Sequence, residues 1–142
     1  MLICYYSRTG NTEKMARALG EGASEVTEVT LVAADQAEVS HFKGEALILL
    51  GCPALGSEEV DHEYLLPLLH QLGGEISEKE FFLFGSYDWG SGTFMRIWKS
   101  DLEFRGAKVL GTHITRTEPS TDELEELREK GRLLAEGKLP RE

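Results

Sequence analysis

The chain has 142 residues, 41% of them apolar, with 15 Lys+Arg against 25 Asp+Glu and a formal net charge of −10. That length predicts one domain, residues 1–142, with a real core, and the acid excess argues against nucleic acid while suiting either solubility or steering toward basic protein partners. No apolar run approaches membrane-spanning length and no basic, apolar leader opens the chain, so a soluble cytoplasmic protein that avoids the membrane is expected.

The first predicted strand covers residues 2–6, Leu2-Ile3-Cys4-Tyr5-Tyr6, and runs into Ser7-Arg8-Thr9-Gly10-Asn11-Thr12 ahead of a helix over 13–22. A hydroxyl-rich turn with a glycine, placed between a strand and a helix start, makes a phosphate nest. The first-turn N–H groups and the positive end of the helix dipole point into it. Ser7, Thr9 and Thr12 add hydroxyl donors and Asn11 an amide donor, and Gly10 allows the sharp turn and the close backbone approach. The loop holds no lysine. Neither G-x-x-x-x-G-K-[ST] nor G-x-G-x-x-G occurs, so a nucleoside triphosphate or a bridging pyrophosphate is not the expected ligand. Neutral donors suit one terminal phosphate held statically, as in a cofactor anchor. A plain serine or threonine N-cap needs no ligand, but the whole six-residue string after a strand favours the nest.

Further strands are predicted at 26–32, 46–51, 81–85 and 108–114, with helices at 66–72, 93–104 and 121–136. The segment 33–43 is weakly patterned and leaves room for a short helix. The last helix opens with Ser120-Thr121-Asp122-Glu123, a capping-box pattern. Strands near Leu2, Ala46 and Phe81 are almost continuously apolar, as strands covered on both faces are. The fold class is therefore α/β, with a doubly wound five-stranded parallel sheet in the order 2-1-3-4-5. Its ligand site lies outside the carboxyl ends of the strands, at the switch point between strands 1 and 3.

The loops after strands 3 and 4 then wall the same site. The first reads Gly51-Cys52-Pro53-Ala54-Leu55-Gly56-Ser57-Glu58-Glu59 and the second Gly85-Ser86-Tyr87-Asp88-Trp89-Gly90-Ser91-Gly92. A tryptophan at a glycine-flanked turn tip has few neighbours of its own and can cover a flat ligand. Cys4 and Cys52 lack C-x-x-C spacing and read as small core residues of a protein in a reducing compartment. His41, His62, His70 and His113 lack ligand spacing, so no metal site is expected and they read as surface or structural histidines.

In these three loops and in its length the chain resembles the short-chain flavodoxins. The resemblance rests on Ser7 to Thr12, Leu50 to Glu58 and Phe84 to Met95, in that order. It implies one non-covalent FMN and a low-potential one-electron shuttle between redox enzymes, a reductase donor and an oxidoreductase acceptor with basic surfaces, acting as a monomer rather than as an enzyme. By resemblance, Ser7, Arg8, Thr9, Gly10, Asn11 and Thr12 form the phosphate loop, with Ser86 a further donor. Trp89, carried between Tyr87, Asp88 and Gly90, stacks on the exposed face of the flavin, and Leu55, after Pro53 and Ala54, packs on the inner face. Glu58 bonds the pyrimidine edge, and the Gly56-Ser57 peptide turns over on reduction so that its carbonyl favours the neutral semiquinone. Pro53 and Asp88 depart from the family, which often has a polar residue at the first position and glycine at the second. The acids Glu58, Glu59, Asp61 and Asp88 are expected to lower the second reduction potential, since like charges oppose another negative charge. A phosphoacceptor receiver shares the fold but lacks its acids here, where Tyr6-Ser7 and Gly51-Cys52 stand. A small FMN-dependent reductase and a cofactor-free interaction module are the alternatives.

Overall fold

The computed structural model describes residues 1–56 and 58–139. Five strands, β1 (Leu2–Tyr5), β2 (Thr30–Ala33), β3 (Leu47–Gly51), β4 (Glu80–Tyr87) and β5 (Lys108–Arg116), form one sheet in the order β2-β1-β3-β4-β5. Every neighbouring pair is parallel. The helices are α1 (Asn11–Ala23), α2 (Val39–Phe42), α3 (Leu65–Leu72), α4 (Thr93–Phe104) and α5 (Thr121–Glu136), with short 3-10 turns at Ala34–Gln36 and Gly73–Glu78.

Strand alternation divides the core between the two sheet faces. Leu2, Cys4, Ile48, Leu50, Phe81 and Leu83 point to one face, where Leu65 and Leu69 of α3 and Phe94, Trp98 and Leu102 of α4 cover them. Ile3, Tyr5, Leu49, Phe82 and Phe84 point to the other and meet Met15 and Leu19 of α1 and Leu127 and Leu134 of α5. Each such side chain, taken fully out of water, contributes about 1.5–3 kcal/mol, so the apolar β1, β3 and β4 can be stable only at the centre of the sheet. Tyr5 and Tyr6 fall on opposite faces, as the period of two requires.

The second strand is shorter and later than the sequence suggests. After α1, the N–H groups of Val26 and Thr27 both bond to the Ala23 carbonyl, and Val26 is left exposed. Pairing with β1 begins only where the Thr30 N–H reaches the Met1 carbonyl. The segment 26–29, with three β-branched residues, is therefore a turn and approach to the strand. β4 in contrast runs two residues past Gly85, which places Ser86 and Tyr87 in the strand. The capping box of α5 forms as read, with the Ser120 hydroxyl accepting from the Glu123 N–H at 3.1 Å.

Candidate cofactor site

The carboxyl ends of β1, β3 and β4 bring the three loops together. After β1, the Ser7 hydroxyl oxygen accepts hydrogen bonds from the N–H groups of Gly10 and Glu13, both at 3.2 Å, which curls the loop around the start of α1. Gly10 takes φ +96, and no atom lies within 4 Å of where a Cβ would stand. The N–H groups of Asn11 and Thr12 belong to the first helical turn, where no carbonyl of the helix reaches them. Arg8 and Thr9 are exposed, and Ser7, Gly10 and Asn11 half-buried.

Beneath this loop the Thr12 and Ser86 hydroxyls lie 3.0 Å apart, and both residues are buried. Two hydroxyls carry two protons and their mutual bond uses one, so an O–H remains to be donated. The Ser86 carbonyl also accepts from the Ala54 N–H at 2.9 Å. Ser86 thus joins the end of β4 to both the other loops, and the Ala54 amide is spent on that tie.

In the loop after β3, Leu55 and Glu59 exchange backbone bonds of 2.9 and 2.8 Å, closing a turn over Gly56 and Glu58. Gly56 and Glu58 both have positive φ, +49 and +58. Ser57 lies outside the described residues. Pro53 is half-buried and its carbonyl accepts from the Cys52 thiol at 3.2 Å. Glu58 Oε1 accepts from the Thr93 N–H at 2.9 Å, so this carboxylate caps α4. Its other oxygen makes it available to a second donor. Gly90, at φ +92, is required by that arrangement, because a Cβ there would stand 2.9 Å from Glu58 Cδ. Asp88, Trp89 and Gly90 form an exposed bend, and Trp89 is 72% exposed, while Tyr87 is half-buried.

The acids separate by role. Glu58 sits within the loop cluster, and Glu59 and Asp88 are exposed. Asp61 is buried and its carboxylate takes the N–H groups of Glu63, Tyr64 and Leu65 at 3.1, 2.9 and 2.9 Å, so it serves the start of α3. The Asp61 N–H in turn points to the Cys52 sulfur at 3.2 Å. Burial pushes the thiols of Cys4 and Cys52 up to about 12, so both stay protonated at neutral pH. No group of His, Cys, Asp and Glu suited to a metal ion occurs among the described residues.

Sequence reading did not identify Thr93, whose N–H holds Glu58, although Gly92-Thr93 at the start of a helix pattern marks a free first-turn donor. Sequence alone reads His113 as a surface or structural histidine. That residue is structural, its Nε2 3.4 Å from Glu123 and its Nδ1 3.0 Å from Lys130.

These loops meet at the switch point of a doubly wound sheet, the place where proteins of this architecture bind nucleotide cofactors. The family model described as Flavodoxin matches residues 3–131. A flavodoxin from Megasphaera elsdenii is 39% identical over 134 residues, which cover 94% of this chain and 96% of the relative. One from Clostridium beijerinckii is 35% identical over 125 residues, 87% of this chain and 91% of the relative. The solution structure of the two-electron reduced Megasphaera elsdenii flavodoxin superimposes with a TM-score of 0.81 at 38% identity, covering 93% of this chain and 98% of that one. The chain belongs to the flavodoxin family. It is an FMN-binding electron carrier, as the family is, and not an enzyme. The residues present fit FMN. The open, lysine-free nest suits a phosphomonoester, and the exposed Trp89 and half-buried Leu55 offer flat and apolar surface for a ring.

Proposed function

We propose that Ser7, Thr9, Gly10, Asn11 and Thr12 hold the FMN phosphate, that Ser86 supports the nest from below, and that Trp89 and Leu55 cover the two faces of the ring. The observation that carries this reading is the double role of Ser86, whose hydroxyl meets Thr12 and whose carbonyl holds Ala54. One strand residue fixes the phosphate loop and the ring loop relative to each other. FMN supplies one-electron chemistry that the side chains lack.

Around it, Glu58 uses one carboxylate oxygen on Thr93 and offers the other to the pyrimidine edge. Its charge, with those of Glu59 and Asp88, opposes a negative charge on the ring, which lowers the second potential and separates the two one-electron steps. The Gly56 carbonyl, in a turn that tolerates positive φ, would accept a hydrogen bond from an N–H of the ring. The net charge of −10 steers the protein toward basic-surfaced reductases and oxidoreductases. No helix among the described residues is long and apolar enough to cross a membrane. We place the protein in the cytoplasm, as a monomer that passes electrons between transient partners.

Titration of apo protein with FMN and with riboflavin, followed by tryptophan and flavin fluorescence, tests the phosphate assignment. Loss of several charge-assisted hydrogen bonds should weaken riboflavin by about 100-fold or more. Equal affinities would place the phosphate outside the nest.

A further inference from the structure

A groove of about 1150 Å³ runs between α3 and α4 and ends against the ring loop. Its apolar lining comes from Val60, Leu66, Pro67, Phe94, Ile97 and Trp98. Ile97, 61% exposed on the rim, makes the apolar surface of the groove continuous from α3 to α4. Trp98 is buried in the wall, and its Nε1 has no hydrogen-bond partner among the described residues. Glu58, Glu59 and Asp101 also line the groove. Its Arg105 is paired with Asp101 at 3.4 Å, whereas no ion pair to Glu58 or Glu59 occurs among the described residues. The end nearest the ring loop is therefore negative, and the middle is apolar.

We propose that this groove receives the apolar face of a basic amphipathic helix from a redox partner. Leucine-sized side chains enter between Leu66 and Ile97, and lysine or arginine meets Glu58 and Glu59. A second copy of this chain suits the groove poorly, because two molecules of net charge −10 repel. Glu58 belongs both to the groove and to the ring loop, so the helix docks beside the proposed flavin edge without covering Trp89. The mode is helix-in-groove recognition with electrostatic register at one end. The proposal rests on the electron-carrier reading only in taking the helix to be part of a redox partner.

The test uses FMN-loaded protein, a synthetic leucine-lysine amphipathic helical peptide, and amide NMR to locate binding. Control peptides carry glutamate for lysine or serine for leucine. The expected result is shifts concentrated on residues 58–71 and 94–105, an affinity that falls with salt, and no binding of either control. Ile97→Asp should weaken the peptide by at least tenfold, and Asp101→Lys should weaken it less. Ile97 is exposed and outside the cofactor loops, so the Ile97→Asp protein should bind FMN as the parent does. Shifts on α1 and α5 instead, or unchanged affinity in Ile97→Asp, would overturn the groove. So would self-association of the free protein that Ile97→Asp abolishes, since the occupant would then be a second copy. Failure to load FMN would overturn the carrier site and leave the peptide map readable on apo protein.

Discussion

The Glu58 carboxylate accepts the Thr93 N–H at 2.9 Å, joining the loop after β3 to the start of α4 across 35 residues of sequence. The side chain thus works as a helix cap whether or not a ring lies beside it. Glu58→Ala should cost about 1 kcal/mol in thermal or denaturant unfolding, the usual loss of a cap. Glu58→Gln keeps an oxygen for Thr93, so stability should hold. Removing the charge should raise the second reduction potential of the FMN-loaded protein by on the order of tens of millivolts.

The hydroxyl pair under the phosphate loop predicts a non-additive pair of variants. Thr12→Val or Ser86→Ala alone leaves the other hydroxyl buried without its partner, at about 1–3 kcal/mol each. The double variant should cost less than the sum in a double-mutant cycle read by urea unfolding. Both single variants should lower affinity for FMN more than for riboflavin.

α1 and α5 cross with their backbones touching. A Cβ on Gly131 would stand 2.0 Å from the Leu19 carbonyl oxygen, and one on Gly22 would stand 1.8 Å from that of Arg128. Gly131→Ala should therefore destabilise by about 1–3 kcal/mol or more although alanine favours helix, since the helices must move apart. Unfolding midpoints check this, and a neutral result would mean that the crossing is looser than described.

His113 gives the protein a pH dependence on its acid side. Burial, aided by the Lys130 charge and opposed by Glu123 and Glu126, holds its pKa below the ordinary 6.5. The unfolded chain then binds the proton more readily than the folded one. This contribution to stability is present above pH 6.5 and is lost as pH falls through the lower folded value. His113→Gln should flatten the stability profile across that window, measured by denaturation at a series of pH values.

With thiols held near 12 by burial, Cys4 and Cys52 should not react with a disulfide reagent in the native protein. Both should react once it is unfolded in urea.

The sheet order was legible because β1, β3 and β4 carry runs of apolar residues that only a doubly covered strand can bury. The loops were legible through their hydroxyls, glycines and Trp89. β2 starts later than Val26 and Val29 suggest, because the pairing of Thr30 with the Met1 carbonyl, a tertiary contact, decides where it begins. The Glu58–Thr93 and Thr12–Ser86 bonds depend on how β3 and β4 are registered and on where α4 starts, which no local pattern specifies. Asp61 reads as one more acid of the loop until α3 is in place, when three backbone N–H groups claim its carboxylate.

Spectroelectrochemical titration of the FMN-loaded protein tests the central claim most directly. The loops described here predict two resolved one-electron steps with the second at markedly lower potential, and a smaller gap in Glu58→Gln. A single two-electron step would contradict a one-electron carrier built on these residues.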